Sequence, residues 1–297
     1  MLELRRLEVL AAAAREGSLA AGARKLGLTA GAASQAVAAL EASTGVVLLT
    51  RLPRGVRPTP AGERLVAHAE AVLATLHRAE AELAGQNGQS IRIAAPPTAV
   101  YGLIPGVLTR LRATAPELEV TVLELEPGPA RAALRAGDCE VALVNHSALL
   151  APDLHGPWHT VHIRDEPVYA ALPPGHPLAA RADVAVGELA DDPWLTQPPM
   201  SPCQELIQHA CAAAGFAPDI TATCGDYRSI LALVGAGTGV SLIPELALTG
   251  LATPPVALLP TRPRISRRIN ALVTARTQTT APARAVLDAL LEYEQHR

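Results

Sequence analysis

SLAAGARKLGLTAGAASQAVAALEASTGVVLLTRLPRGVRPTP, from Ser18 to Pro60, reads as helix, tight turn, helix and short ribbon. The Ser18 hydroxyl is placed to accept from an unpaired amide at the start of a helix ending near Leu26. Gly27 supplies the permissive backbone of a sharp corner. Thr29 caps a second helix, on which Ala33, Val37 and Leu40 share one face, leaving Gly31, Ser34, Gln35 and Ala38 on the other. Two helices joined by so short a glycine turn make a helix-turn-helix, whose second helix has the width of a DNA major groove. Val46 to Leu49 is expected to form a strand. Beyond it, Arg51, Arg54 and Arg57 surround a Pro53/Gly55 turn, where arginine would pair with phosphate oxygens and make binding salt-dependent. Simple solvation would expose the same arginines, and an Ala-rich helical hairpin also suits an ordinary core.

Charge separates the two ends of the 297-residue chain. Residues 1–58 carry eight Lys/Arg against four acids, net +4, which leaves −7 for the remainder of a chain whose total is −3. A basic head on an acidic body places a polyanion partner at the amino end.

On these residues the segment Leu4 to Glu63 resembles the winged helix-turn-helix of the LysR-type transcriptional regulators. The pattern is Gly17-Ser18-Leu19, Ala23, Leu26-Gly27-Leu28-Thr29, Ala32, Ser34, Leu40-Glu41, Gly45, Leu48, Arg51 and Thr59-Pro60-Ala61-Gly62. The resemblance implies a fold of three parts: the winged head over 1–58, a linker and dimerisation helix over 59–89, and a two-lobed α/β effector domain of periplasmic-binding-protein type over 90–297. Lobe I would hold 90–164 and 265–297, and lobe II 165–264. Ser18, Thr29, Ala30, Gly31, Ser34, Gln35, Arg51, Arg54 and Arg57 are then the DNA-binding candidates. This chain departs from the family in carrying Ala30-Gly31 where Gln-Pro is usual, Ala38 in place of Arg or Lys, and Leu49 in place of Phe. No long basic side chain on the second helix is left to make the bidentate guanine contact. Sequence reading would fall to short side chains, with wing arginines and DNA shape carrying the rest.

Pro60 suits the first position of a long helix expected to run to about Ala84. Leu65, Ala69, Val72, Leu76, Ala79 and Leu83 recur at the spacing of a coiled-coil seam, and the resemblance makes Leu65, Ala69, Val72, Leu76 and Leu83 dimerisation residues. A helix packed on its own body shows the same stripe. Residues 85–89, rich in Gly, Gln and Asn, break the helix.

From Ser90 onward strands and helices alternate as in a doubly wound α/β domain. Expected strands are Ile91–Ala95, Leu118–Leu125, Val141–Asn145, Val161–Ile163, Val168–Leu172, Trp194–Thr196, Ile220–Thr223, Val240–Ile243 and Arg268–Thr274. Helices are expected near Leu103–Arg112, Ala130–Ala136, Gln204–Ala214, Tyr227–Val234 and Ala283–Tyr293, with crossovers between lobes near Arg164-Asp165 and Pro263–Ile265. A ligand in such a fold sits at strand carboxyl ends and helix amino ends. Thr98, beside Pro97, follows the first strand, and by resemblance matches the Ser/Thr that holds the effector's carboxylate; a plain helix cap explains it equally. Thr196, Gln197 and Ser201 occupy the corresponding turn of the second lobe, His146 ends a strand and Tyr227 begins a helix. The implied effector is anionic.

Other motifs point nowhere. Gly235-Ala236-Gly237-Thr238-Gly239 precedes a strand, the reverse of the order that cradles phosphate, so no nucleotide cofactor is expected. His155, His159 and His162 lack helical spacing, and no metal is expected. Cys139, Cys203, Cys211 and Cys224 form no C-x-x-C pair and read as reduced core thiols, with a redox-sensing pair left open. No G-x-S-x-G occurs, and no enzyme activity is expected. Aromatic residues are 2% of the chain, so ring stacking contributes little to any pocket. With no signal peptide or apolar run approaching twenty residues, the reading is a cytoplasmic protein with no membrane partner. The expectation is an effector-controlled transcription factor on double-stranded DNA. It would be a homodimer assembling to a homotetramer, contacting RNA polymerase if it activates. The alternatives are a metabolite-binding or protein-interaction module without regulated DNA reading, and an α/β enzyme with an appended helical head.

Overall fold

The structure, a computed structural model, describes residues 2–52, 55–83, 90–147, 156–199, 201–250 and 256–295. The chain divides into two compact units, residues 1–87 with 132–139, and residues 88–131 with 140–297. Among the described residues no helix is long and apolar enough to cross a membrane.

The amino-terminal unit runs α1 (Leu4–Glu16), α2 (Leu19–Lys25), α3 (Ala30–Thr44), β1 (Leu49–Leu52), β2 (Gly55–Pro58) and α4 (Pro60–Leu83). Helices α2 and α3 start where side chains satisfy the first free amides: Ser18 accepts from the Ala21 amide and Thr29 from the Ala32 amide. Gly27 turns the corner between α2 and α3 at φ 66°, a conformation other residues adopt only with strain. Leu10, Ala13, Ala33, Val37, Leu40 and Leu48 close the core.

The ribbon starts later than expected. Val46 and Val47 lie in a loop, 46% and 65% exposed, and pairing begins only at Leu49, opposite Pro58. The Glu41 carboxylate accepts from the amides of Leu48 and Leu49, so these donors are tied to α3 before the strand begins. At the far end Gly55 has φ 133°, and a Cβ there would come within 2.2 Å of the Gly17 carbonyl oxygen. Only glycine lets the ribbon dock on the α1–α2 turn, where the Val56 amide donates to Gly17.

The stripe on α4 splits. Ala69 is wholly buried in the head's own core and Leu65 packs beside it, whereas Val72 and Leu76 are 46% and 37% exposed. The first turns of α4 therefore spend their apolar face on this unit, because they pack against α1. Leu83 and Ala79 have side chains outside the described residues, as does the expected break over 85–89.

From Ser90 the chain runs β3 (Ser90–Ala95), α5 (Pro97–Gly102), α6 (Ile104–Thr114), β4 (Glu119–Glu124), α7 (Pro127–Ala136), whose residues from 132 on fall in the first unit, β5 (Val141–Ser147) and β6 (Trp158–Leu172). There follow β7 (Val184–Ala185), β8 (Pro193–Thr196), α8 (Pro202–Ala213), β9 (Asp219–Thr223), α9 (Tyr227–Gly235), β10 (Ser241–Pro244), β11 (Ala257–Thr274) and α10 (Ala281–Gln295). Among these described strands seven share one sheet, ordered β10-β6-β11-β5-β3-β4 with β7 on β11. Strands β3, β4 and β5 pair in parallel, while β11 runs antiparallel to β5 and β6. β8 and β9 pair apart from it, in parallel.

Two cores form. One gathers Ile93, Leu103, Val107, Leu143, Ile269 and Leu290; the other gathers Leu172, Trp194, Ile207, Leu231 and Leu242. These are the two lobes, and α10 closes the first.

Two expectations fail at the same place. Val161–Ile163 and Val168–Leu172 belong to one continuous strand of 15 residues, and Arg268–Thr274 is the second half of a strand of 18. The charges at 164–166 and 267–268 are accommodated across the ribbon: Arg267 lies opposite Glu166 and Arg268 opposite Asp165. Near the expected crossover at 263–265 the register shifts between Pro260 and Ile265, and β11 passes from the core of Leu259 and Ile265 to that of Ile269. Helix α5 and the short strand β7 were not anticipated.

Candidate functional site

In the head, the face of α3 turned away from the core carries Ala30, Gly31, Gln35 and Ala38, all exposed, with Ser34 half-buried. Thr29 is exposed at its start and Ser18 caps α2. The face is short-chained and uncharged, as its composition dictates. A cation reaches it from elsewhere: Arg51 of β1 extends Nη2 to within 3.3 Å of the Ser34 hydroxyl. Arg57, opposite Thr50, is exposed on the other strand. Arg54 lies outside the described residues. The surface is thus a smooth helix flanked by guanidinium groups, which suits backbone contact more than base contact.

In the second unit a cavity of about 240 Å³ opens where β3, β4 and β5 end and where α5, α8 and α9 begin. At its base lies a buried charge network. Arg267, 6% exposed, directs Nε to Glu166, which is fully buried, and Nη2 to the Thr98 hydroxyl at 2.7 Å. The other Glu166 oxygen accepts from the Leu246 amide. Burial opposes the charge on Arg267, but the Glu166 carboxylate together with the Tyr227 and Tyr101 phenols raises the guanidinium pKa, so Arg267 stays charged. Because Thr98 accepts from Arg267, its own hydrogen is left to donate into the cavity. Tyr101 and Tyr227 also line it. Burial pushes Tyr101 up to about 12 and Tyr227 well above its usual range, so both phenols remain protonated donors.

Of the residues expected around a ligand, Pro97, Thr98, Gln197 and Tyr227 line this cavity. Three others point elsewhere. His146 pairs in register with Arg268 on the opposite face of the sheet, while its neighbour Asn145 lines the cavity, as the two-residue alternation of a strand requires. Thr196 is wholly buried, with its hydroxyl 3.8 Å from the Cys203 sulfur. Ser201 is occupied in capping α8, accepting from the Gln204 amide. Sequence reasoning missed Arg267, Asn145, Glu126 and Arg228. For Arg267 a signal existed: charged dipeptides at 165–166 and 267–268 inside otherwise apolar strands.

Burial raises the thiols of Cys203, Cys211 and Cys224 above their usual range, Cys211 to about 12. They are thiols, not thiolates, at neutral pH.

A helix-turn-helix head ahead of a two-lobed α/β unit with a ligand-sized cleft is a specific combination. Residues 4–63 match the family model described as bacterial regulatory helix-turn-helix protein, lysR family, and residues 84–295 match the LysR substrate binding domain. The chain belongs to the LysR family. It is similar to the small neutral protease regulatory protein of Streptomyces coelicolor (strain ATCC BAA-471 / A3(2) / M145), at 33% identity over 249 residues, 81% of this chain and 73% of that relative. Two solved LysR-fold structures share its architecture. Full-length OxyR from Pseudomonas aeruginosa matches with a TM-score of 0.65 and 23% identity over 99% of this chain and 95% of that one. CbnR complexed with its target DNA matches with a TM-score of 0.55 and 23% identity, over 99% of this chain and 100% of that one.

Proposed function

We propose that this LysR-family chain is a cytoplasmic transcriptional regulator that grips duplex DNA as a dimer, or a dimer of dimers, under control of a small carboxylate-bearing effector. The winged head over 1–58 reads DNA, the helical segment 59–89 links and dimerises, and 90–297 senses the effector. Lobe I comprises 90–164 with 265–297, and lobe II 165–264. The observation that carries this reading is the buried Arg267–Thr98 contact at the cleft base, which leaves the Thr98 hydroxyl with a hydrogen to donate to a ligand acceptor. Ligand-driven closure would alter the angle between linker helices and hence the bending of DNA, the required energy being the ligand's unequal affinity for the two arrangements. Where the regulator activates, RNA polymerase is its further partner.

Base recognition is weak by this reading. Arg51 and Arg57 hold phosphates, while Ser34, Gln35 and alanine methyls touch base edges, so shape outweighs direct contact. The test is fluorescence anisotropy of the full chain on duplexes from its own upstream region across a salt series. Affinity should fall linearly with the logarithm of salt concentration. Absence of binding even in dilute buffer overturns the regulator reading. A sharp loss on replacing one guanine per half-site overturns the account of base recognition.

A further inference from the structure

The cleft carries more negative charge than a pocket for a simple anion requires. Its charged lining residues are Glu124, Glu126, Asp226, Arg228 and Arg267. Arg267 is already balanced by Glu166, and Asp226 accepts from the Ser229 amide and hydroxyl at the start of α9. Glu124 and Glu126 share the lining with one further guanidinium, that of Arg228, which acts on Asp226. Burial pushes the Glu126 carboxyl up from its ordinary range; Arg267 opposes the shift and Glu124 adds to it. A purely anionic ligand would meet two carboxylates for that one guanidinium.

A second observation is independent of charge. Asn145, 6% exposed, lines the same cavity from β5, and its Oδ1 is buried with no hydrogen-bond partner. Buried acceptors are normally satisfied, so an orphan facing a cavity marks where a donor belongs. The volume, about 240 Å³, lies below the drug-sized range of roughly 300–1,000 Å³, which favours a compact molecule.

Resting on the effector reading above, we infer that the cleft is built for a small zwitterion, an amino carboxylate. Its ammonium donates to Glu126 and Asn145, and its carboxylate accepts from the Thr98 hydroxyl and the Arg228 guanidinium. The ammonium balances the uncompensated acids and fills the orphan acceptor together. Glu126 follows β4 in the first lobe and Arg228 sits on α9 in the second. One ligand therefore satisfies both charges only when the lobes approach, which supplies the differential affinity that regulation demands.

The experiment is isothermal titration of the full chain with three matched sets: the proteinogenic α-amino acids, the α-hydroxy acids of the same skeletons, and the corresponding decarboxylated amines. At least one amino acid should bind saturably, its hydroxy acid about tenfold more weakly or worse, and its amine more weakly still. Glu126→Gln should lower amino-acid affinity by about the same factor and leave the hydroxy acid unchanged. Arg228→Gln should weaken both. Circular dichroism of the ligand-free variants checks folding, and if Glu126→Gln does not fold, the wild-type preference for amino over hydroxy acid decides alone. Equal binding of the matched acids, wild-type affinity in a folded Glu126→Gln, or silence of every amino acid overturns the inference. Salt-dependent retention of duplex DNA in those cases shows that the zwitterion failed while the regulator reading did not.

Discussion

The head and the α/β unit treat polar groups in opposite ways. In the head, polar side chains start the helices locally: Ser18, Thr29 and Thr59 each cap the helix that follows, accepting from an amide three residues on. In the α/β unit the deciding contacts are long-range and buried, Glu166 with Arg267 across 101 residues and Arg267 with Thr98 across 169. The first unit uses polarity to start helices, and the second to pin a cleft. Local caps contribute modestly and independently. A buried pair costs far more to break than it adds when intact, because the survivor is an uncompensated charge.

The largest effect expected from this contrast is Glu166→Gln, which strands Arg267 without a counter-charge. It should cost about 3–5 kcal/mol, read as a lowered denaturation midpoint of the effector unit. A loss under 1 kcal/mol would mean that the pair is less isolated from water than its burial implies. Next is Gly55→Ala, which brings a Cβ against the Gly17 carbonyl at positive φ. About 1–3 kcal/mol should be lost from the head, with DNA binding falling alongside. Arg51→Ala should leave stability untouched and reduce the salt slope of DNA binding by about one, equally across sequences. Discrimination lost at one base pair only would instead make Arg51 a base reader.

The smallest effect is a pH dependence. Burial raises the Glu126 carboxyl, Arg267 opposing and Glu124 reinforcing, so the folded state holds this proton more tightly than the unfolded chain. The associated stability is complete below the ordinary carboxylate range and is lost as pH climbs through the raised value. Ligand-free Glu126→Gln should therefore melt slightly higher than wild type at neutral pH, the gap closing in acid. A gap that widened in acid would reverse the sign and mean that Arg267 outweighs burial at Glu126.

What the sequence made legible follows the same division. The head's caps, the Gly27 corner and the buried face of α3 come from interactions a few residues apart, so periodicity and residue type suffice. Most strands and helices of the second unit were legible for that reason too. The cleft was legible only in part. Thr98, Gln197 and Tyr227 sit at element ends, where ligands gather, but Arg267 and Asn145 lie within strands, and their partners are set by register. The error over His146 shows the cost: one residue along β5 selects the other face. The continuity of β6 through the charges at 164–166 was not legible, because the partner that neutralises Glu166 lies a hundred residues away.

One consequence concerns how the effector unit comes apart. Strands β6 and β11 run side by side through both lobes, so each apolar core is built on the same pair of backbones. Fraying at either end removes rungs from a ladder that the other end shares. Two hydrophobic centres should thus melt as a single calorimetric event, their fates joined by the spine they have in common.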